Sequence, residues 1–253
     1  MSIDIKKAKG SRGRQIALGS ARSRAAPRGR PAKFDGSADR SAGILDAAEA
    51  LFAAHGFYGV TVRQVAHEAG VDPALLNYYF ESKRGLFDAV LSRRAAPVNE
   101  RRMDSMRRYE ASTAAMTVEG CLTAFLEPVL YLWEVGGDKW RNYLRLVALI
   151  NNTPSWRGAA INVFFDPVIE RLIELLKRVL PEARNEDLYW CYNFMSGALS
   201  LSFADTGRID KLSGGLCRSG DVAAVRKRLS FFLATGTSEL CRRLAAESET
   251  RRE

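Results

Sequence analysis

Apolar residues along this chain recur at three- and four-residue spacing, the period of a helix with one buried face. Ile44, Leu45, Ala48, Leu51 and Phe52 form a first stripe, and Gly56 follows it where a helix ends. Val62, Val65, Ala66 and Ala69 form a second, opened by Thr61, a good N-cap, and closed by Gly70, where the turn needs a positive φ. Val71 plugs the angle between this helix and the next. Asp72 caps the third helix and Pro73 takes its first position, where a missing N–H costs nothing. Leu76 and Phe80 pack inward, which leaves Asn77, Tyr78 and Tyr79 outward or at the edge. Ser82 caps a fourth helix, buried through Leu86, Phe87, Val90 and Leu91, that extends to about Tyr109.

Beyond residue 113 the pattern stays helical, with helices expected near 113–135, 138–151, 156–180, 185–205 and 221–245. The glycine-rich stretch 206–220 is expected to be a loop. No strand-type alternation or hairpin turn stands out. The fold class is therefore all-α. A three-helix helix-turn-helix domain is expected at 39–98 and a larger helical domain at 99–248.

Charge adds a third segment. Residues 1–40 hold 11 Lys and Arg against three acids, and so carry eight of the nine net positive charges. Poor in large apolar groups, residues 1–38 read as a disordered basic arm. Pro27-Arg28-Gly29-Arg30-Pro31 within it has the form of an AT-hook, in which Arg28 and Arg30 enter a narrow minor groove. The same residues also suit a solvated tail with only non-specific phosphate attraction. The arm has no apolar run after its lysines, so it is not expected to act as a secretory signal. No apolar stretch approaches the length needed to span a bilayer.

Four scattered cysteines (Cys121, Cys191, Cys217, Cys241) and two histidines (His55, His67) give no metal-ligand spacing. No nucleophile elbow, P-loop, zincin or dinucleotide fingerprint is present. No catalytic residue, metal or cofactor is expected, and the chain is not expected to be an enzyme.

Residues 40–91 resemble the TetR family of bacterial transcriptional regulators. The match runs through Ile44-Leu45, Ala48, Leu51-Phe52 and Gly56, then Thr61, Val65-Ala66 and Ala69-Gly70-Val71, then Leu76, Tyr79-Phe80, Lys83 and Leu86. Asp72 stands where Ser or Thr is usual, and Asn77 where Tyr is usual. The resemblance implies a cytoplasmic, nucleoid-associated homodimer that binds double-stranded operator DNA, with a C-terminal domain that binds an inducer and dimerises. Gly214-Gly215-Leu216-Cys217 is similar to a subgroup that regulates fatty-acid metabolism.

Helix geometry then nominates side chains. A recognition helix enters the major groove N-terminus first, which brings Pro73, Ala74, Leu75, Asn77, Tyr78 and Tyr79 to DNA. Thr61 and Lys83 sit at helix starts facing phosphate, Arg63 and Gln64 reach from the preceding helix, and Arg40 joins from the first. Pro128 and Pro167 fall inside apolar helices, where each removes a backbone hydrogen bond and kinks the helix. A pocket for a small hydrophobic or acyl-type ligand is expected between them, lined by Phe125, Trp133, Trp140, Tyr143, Phe164 and Phe165 with Asn151 as a polar anchor. The same aromatics would equally make a solid core. Arg145 is either a carboxylate anchor or one of a solvent-facing pair with Arg141. Dimer contacts are expected from Leu188, Tyr192, Met195 and Leu199 on one late helix and Val225, Leu229, Phe232 and Gly236 on the next. The family resemblance further implies a repressor released from its operator by ligand. The alternative is a ligand-independent architectural or partner-controlled DNA binder.

Overall fold

Among the described residues the chain forms ten helices and no strand. In the computed structural model residues 36–153 and 159–250 are described, so Arg28 and Arg30 lie outside the described residues. The first four helices are α1 (Gly36–His55), α2 (Val62–Glu68), α3 (Pro73–Phe80) and α4 (Lys83–Ser112). They are followed by α5 (Val118–Val135), α6 (Gly137–Asn151), α7 (Ala159–Val179), α8 (Asn185–Ala204), α9 (Arg208–Leu212) and α10 (Val222–Thr250).

Capping explains why the early helices begin where they do. Thr61 Oγ1 accepts from the Gln64 N–H at 3.2 Å, and Gln64 Oε1 accepts from the Thr61 N–H at 2.8 Å. This reciprocal box satisfies two of the backbone donors that a helix start leaves open. Asp72 Oδ1 accepts from the Ala74 N–H at 2.7 Å, and Ser82 Oγ from the Gly85 N–H at 3.0 Å. Gly70 turns the chain between α2 and α3 at φ +66°, a conformation that costs a β-carbon-bearing residue energy. Between α3 and α4 the approach is so close that a β-carbon on Gly85 would sit 2.2 Å from the Phe80 carbonyl oxygen.

The core is continuous from one end of the described unit to the other. Phe52 and Phe87 meet edge to face at 5.0 Å beneath the helix-turn-helix. Leu126, Leu130, Leu144, Leu146 and Leu172 fill the opposite half, each such burial contributing about 1.5–3 kcal/mol. Helix α4 packs against α1, α5 and α7, helix α6 bridges α1 and α8, and α10 lies along α5. Carboxylates fasten these packings. Glu49 of α1 takes both Arg93 and Arg94 of α4 at 2.8 and 3.1 Å. Glu127 and Glu134 of α5 hold Arg226 of α10 at 2.6 and 2.5 Å.

Three departures from the sequence reading have physical reasons. The segment expected to be a loop at 206–220 contains the one-turn helix α9. The helix expected from 113 starts at Val118, because the Thr117 hydroxyl caps it through the Gly120 N–H at 3.1 Å. Helix α4 runs unbroken to Ser112, slightly past the end expected near Tyr109, with Pro97 inside it. Because proline has no N–H, the Arg93 carbonyl lacks its usual acceptor role there.

Candidate functional site

The outer face of α2 and α3 is solvent-facing. Arg63, Gln64, Pro73, Ala74, Asn77 and Tyr78 are exposed, as are Thr61 and Arg40. Tyr78 is the most open of them at 79% exposed, and its ring meets Tyr79 edge to face at 5.4 Å. Leu76 on the opposite side is buried and fixes the rotation of the helix. Leu75 and Tyr79 are only part-exposed, packed against the core. Two nominated side chains already have structural roles. Gln64 spends its amide oxygen in the capping box. Lys83 holds its ammonium 4.3 Å from the centre of the Phe57 ring, a cation–π contact that anchors it at the start of α4. His55 and His67 are exposed, and no metal-ligating group occurs among the described residues.

Behind this face, a cavity of about 250 Å³ opens between α4, α5, α6, α7 and α8. Phe125, Asn151 and Phe165 line it, as the sequence suggested. Trp133, Trp140 and Tyr143 do not. Trp133 packs edge to face on Phe203 at 5.3 Å, and Tyr143 does the same with Trp140 at 5.9 Å. Arg94 sits over the Trp140 ring at 5.1 Å, so that aromatic group is core rather than pocket. Phe164 does not line the cavity either; its backbone oxygen accepts from Asn99 Nδ2 at 2.6 Å. Pro128 and Pro167 both stand within continuous helices, close in sequence to the lining residues Phe125 and Phe165.

Arg102 is the charged, buried lining residue that sequence reasoning missed. It is 7% exposed, lines the cavity, and stacks over Phe125 with its guanidinium carbon 4.3 Å from the ring centre. Burial lowers its proton affinity from the ordinary arginine value. The same burial raises the pKa of the Tyr192 hydroxyl, which also lines the cavity. Asn151 donates to Ser200 at 3.1 Å and to Ser196 at 3.4 Å. Arg145 pairs with Asp205 at 3.3 Å and does not line the cavity.

The residues nominated for dimer contact divide. Leu188, Met195, Leu199 and Leu229 are buried within the subunit's own core. Tyr192 and Leu199 line the cavity, and Val225 borders a surface depression with Ile209 and Leu216. Phe232 and Gly236 are exposed. On α8 the large apolar side chains turned to solvent are Tyr189, Trp190, Phe194 and Leu201, at 50%, 50%, 57% and 68% exposure, with Phe231 and Phe232 on α10. Helix α8 is apolar on two faces, and the outward stripe is displaced from the one nominated.

Comparison with known proteins places this arrangement. A model of the bacterial regulatory proteins of the tetR family matches residues 44–90, and a tetracyclin repressor-like C-terminal domain matches 123–236. Together they span more than half of the chain. The HTH-type transcriptional regulator BetI of Brucella melitensis is 32% identical over 94 residues, 36% of this chain. The chain spans about half the length of the curated relatives it matches, 48% for this one. Among solved structures, the fatty acid degradation regulator FadR from Bacillus halodurans superposes with a TM-score of 0.56 at 19% identity. The overlap covers 78% of this chain and 95% of that one. A Clostridium perfringens protein assigned to fatty acid metabolism regulation gives 0.53 at 21% identity, over 77% and 97%. With a capped helix-turn-helix at one end and the family's C-terminal domain behind it, the chain belongs to the TetR family of bacterial transcriptional regulators.

Proposed function

We propose that this regulator is a homodimeric repressor, released from operator DNA when a small, largely hydrophobic ligand enters the cavity between α4 and α8. The observation that carries this reading is the reach of one helix. Helix α4 begins against the recognition helix α3 at Gly85 and contributes Arg102 to the cavity wall. A ligand that prefers one position of α4 therefore biases the placement of α3, by as much as its affinity differs between the two states.

Base and phosphate contacts come from Arg63, Pro73, Ala74, Asn77, Tyr78 and Tyr79, with Thr61 and Lys83 at helix starts and Arg40 beside them. Arg28 and Arg30 of the basic arm add minor-groove or phosphate contacts. Dimerisation uses the outward aromatics Trp190, Phe194, Phe231 and Phe232, because exposed apolar patches of this kind mark association surfaces. In the dimer two recognition helices meet successive major grooves about 34–36 Å apart. The protein acts in the cytoplasm, at the nucleoid. An architectural binder without a ligand has less support, since a filled C-terminal core would leave no cavity. The Bacillus halodurans protein, at 19% identity, lends its fold alone, so the ligand class rests on the chemistry of the wall.

Fluorescence anisotropy with DNA from upstream of the protein's own gene tests the reading, alongside light scattering at micromolar concentration. A dimer that binds this DNA, and loses affinity on adding a ligand that calorimetry shows to be bound, supports it. A monomer, or a bound ligand that leaves DNA affinity unchanged, sinks it.

A further inference from the structure

We infer that the cavity receives a small amphiphilic monoanion, a carboxylate whose head group pairs with Arg102 and whose apolar body lies against Phe125, Phe165 and Phe203. This deepens the ligand-release reading above and rests on it.

The charge balance of the arginines carries the inference. Those drawn into the protein elsewhere have carboxylate partners: Arg93 and Arg94 share Glu49, Arg171 holds Glu110 and Glu174, and Arg226 holds Glu127 and Glu134. Arg102 is more buried than any of these and forms no ion pair among the described residues. Its Nε, like those of Arg93 and Arg226, has no hydrogen-bond partner. Nor does Oδ1 of Asn99, one turn earlier on the same helix. A guanidinium stays charged at any pH the fold survives. Burying it without a counter-charge is unfavourable, and contact with the Phe125 face offsets only part of that cost.

The remaining wall describes the ligand. Ser196 and Ser200 offer hydroxyls that already engage Asn151, and Phe125, Phe165, Ile169, Leu199 and Phe203 offer apolar surface. Asp166, the one carboxylate in the wall, is exposed and forms no ion pair among the described residues. One buried cation matches one negative charge. A dianionic phosphate would leave half its charge uncompensated in a mostly apolar enclosure. The fork of a guanidinium fits a carboxylate through two parallel N–H···O bonds. At about 250 Å³ the space lies below the usual range for drug-sized ligands, so the body is a short alkyl or single aryl group.

Calorimetry on the full-length protein tests this with matched pairs, octanoate against 1-octanol and 3-phenylpropionate against 3-phenylpropanol. Wild type should bind at least one carboxylate about tenfold or more tightly than its alcohol, as expected for a charge-assisted pair. Arg102→Met should remove that preference while keeping alcohol binding. It should also melt no lower than wild type without ligand, since it deletes an unpaired buried charge. Arg102→Gln serves the same purpose should the methionine variant fail to fold. Equal wild-type affinity for acid and alcohol would overturn the anion assignment and leave the hydrophobic-ligand reading standing. Binding of neither member of either pair would count against both. An unchanged carboxylate preference in Arg102→Met, or a ligand-free melting temperature several degrees lower, would show that the arginine serves another purpose and overturn the inference.

Discussion

Glu49 is 1% exposed, and its carboxylate is the point at which α1 is fastened to α4. Oε2 accepts from Arg93 Nη2 at 2.8 Å and from Arg94 Nε at 3.1 Å, while Oε1 accepts from Arg94 Nη2 at 3.4 Å. Glu49→Gln keeps the shape and one acceptor but removes the charge. Glu49→Leu removes both. Deleting one member of a fully buried pair costs about 3–5 kcal/mol, mostly because the other charge is stranded. Here the stranding is incomplete. The Arg93 and Arg94 side chains retain 23% and 17% exposure, and Arg93 keeps Asp46 at 2.8 Å. Discounting for this access to water brings the expected loss to about 1–2 kcal/mol for glutamine and about 2–3 kcal/mol for leucine.

For a unit of this size each kcal/mol lowers the melting temperature by about 2–4 °C. Thermal melts followed by far-UV circular dichroism should therefore place Glu49→Leu about 4–12 °C below wild type, with Glu49→Gln between them. A double-mutant cycle with Arg94→Met isolates the shared term, because each single change alone removes the contact. Glu49→Leu melting within about 1 °C of wild type would refute the reasoning, as would additive losses in the cycle.

Three further outcomes are expected. Gly85→Ala forces a β-carbon to 2.2 Å from the Phe80 carbonyl oxygen; it should destabilise the fold by about 1–3 kcal/mol in a chemical denaturation curve and weaken operator binding by displacing α3. Phe194→Glu puts a charge at the centre of the outward α8 stripe, and should yield a folded monomer by light scattering with DNA affinity reduced by about tenfold or more. Burial pushes the thiols of Cys121 and Cys241 up to about 11 and about 12, and that of Cys191 upward too. At about pH 8 iodoacetamide should therefore modify the exposed Cys217 alone, which peptide mass spectrometry reads directly.

How much was legible in the sequence follows from the range of each interaction. Thr61, Asp72 and Ser82 were readable because a cap acts over two or three residues, so donor and acceptor lie in one short window. The burial of Leu76 and the exposure of Tyr78 followed from period alone. Helix α8 defeated that approach. Leu188, Cys191, Met195 and Leu199 turn inward, yet Trp190, Phe194 and Leu201 are also apolar and turn outward. A helix apolar on two faces carries no internal mark of which one meets its own subunit. Arg102 was hidden for a different reason. It sits in the highly charged run Arg101-Arg102-Met103-Asp104-Ser105-Met106-Arg107-Arg108, where nothing local distinguishes one arginine from the next. Only the packing of α5 and α7 on α4 selects that one arginine for burial.

The two halves meet on α4, and its internal arrangement bears on how a signal crosses it. Lys83 at the start and Arg102 are 19 residues apart on one helix, or about 28 Å at the standard rise. A rigid rod of that length turns a small rotation about its middle into a larger displacement at its end. The middle of this rod is not uniform. Pro97 leaves the Arg93 carbonyl without its helical donor, on the residue whose side chain is held by Asp46 and Glu49. The first half of α4 is thus fixed to α1 by charge, while the second half packs on α5 and α7 around the cavity. A ligand paired with Arg102 acts on the second half, and the missing hydrogen bond at Pro97 is the softest place for the two halves to change their angle. Since α3 is seated against the first half through Gly85 and Phe80, that angle sets where the recognition helix stands relative to the rest of the subunit. Restoring the hydrogen bond with Pro97→Ala should stiffen the helix. Ligand affinity would then persist while release from DNA is blunted, a separation that neither a damaged pocket nor a damaged DNA face would produce.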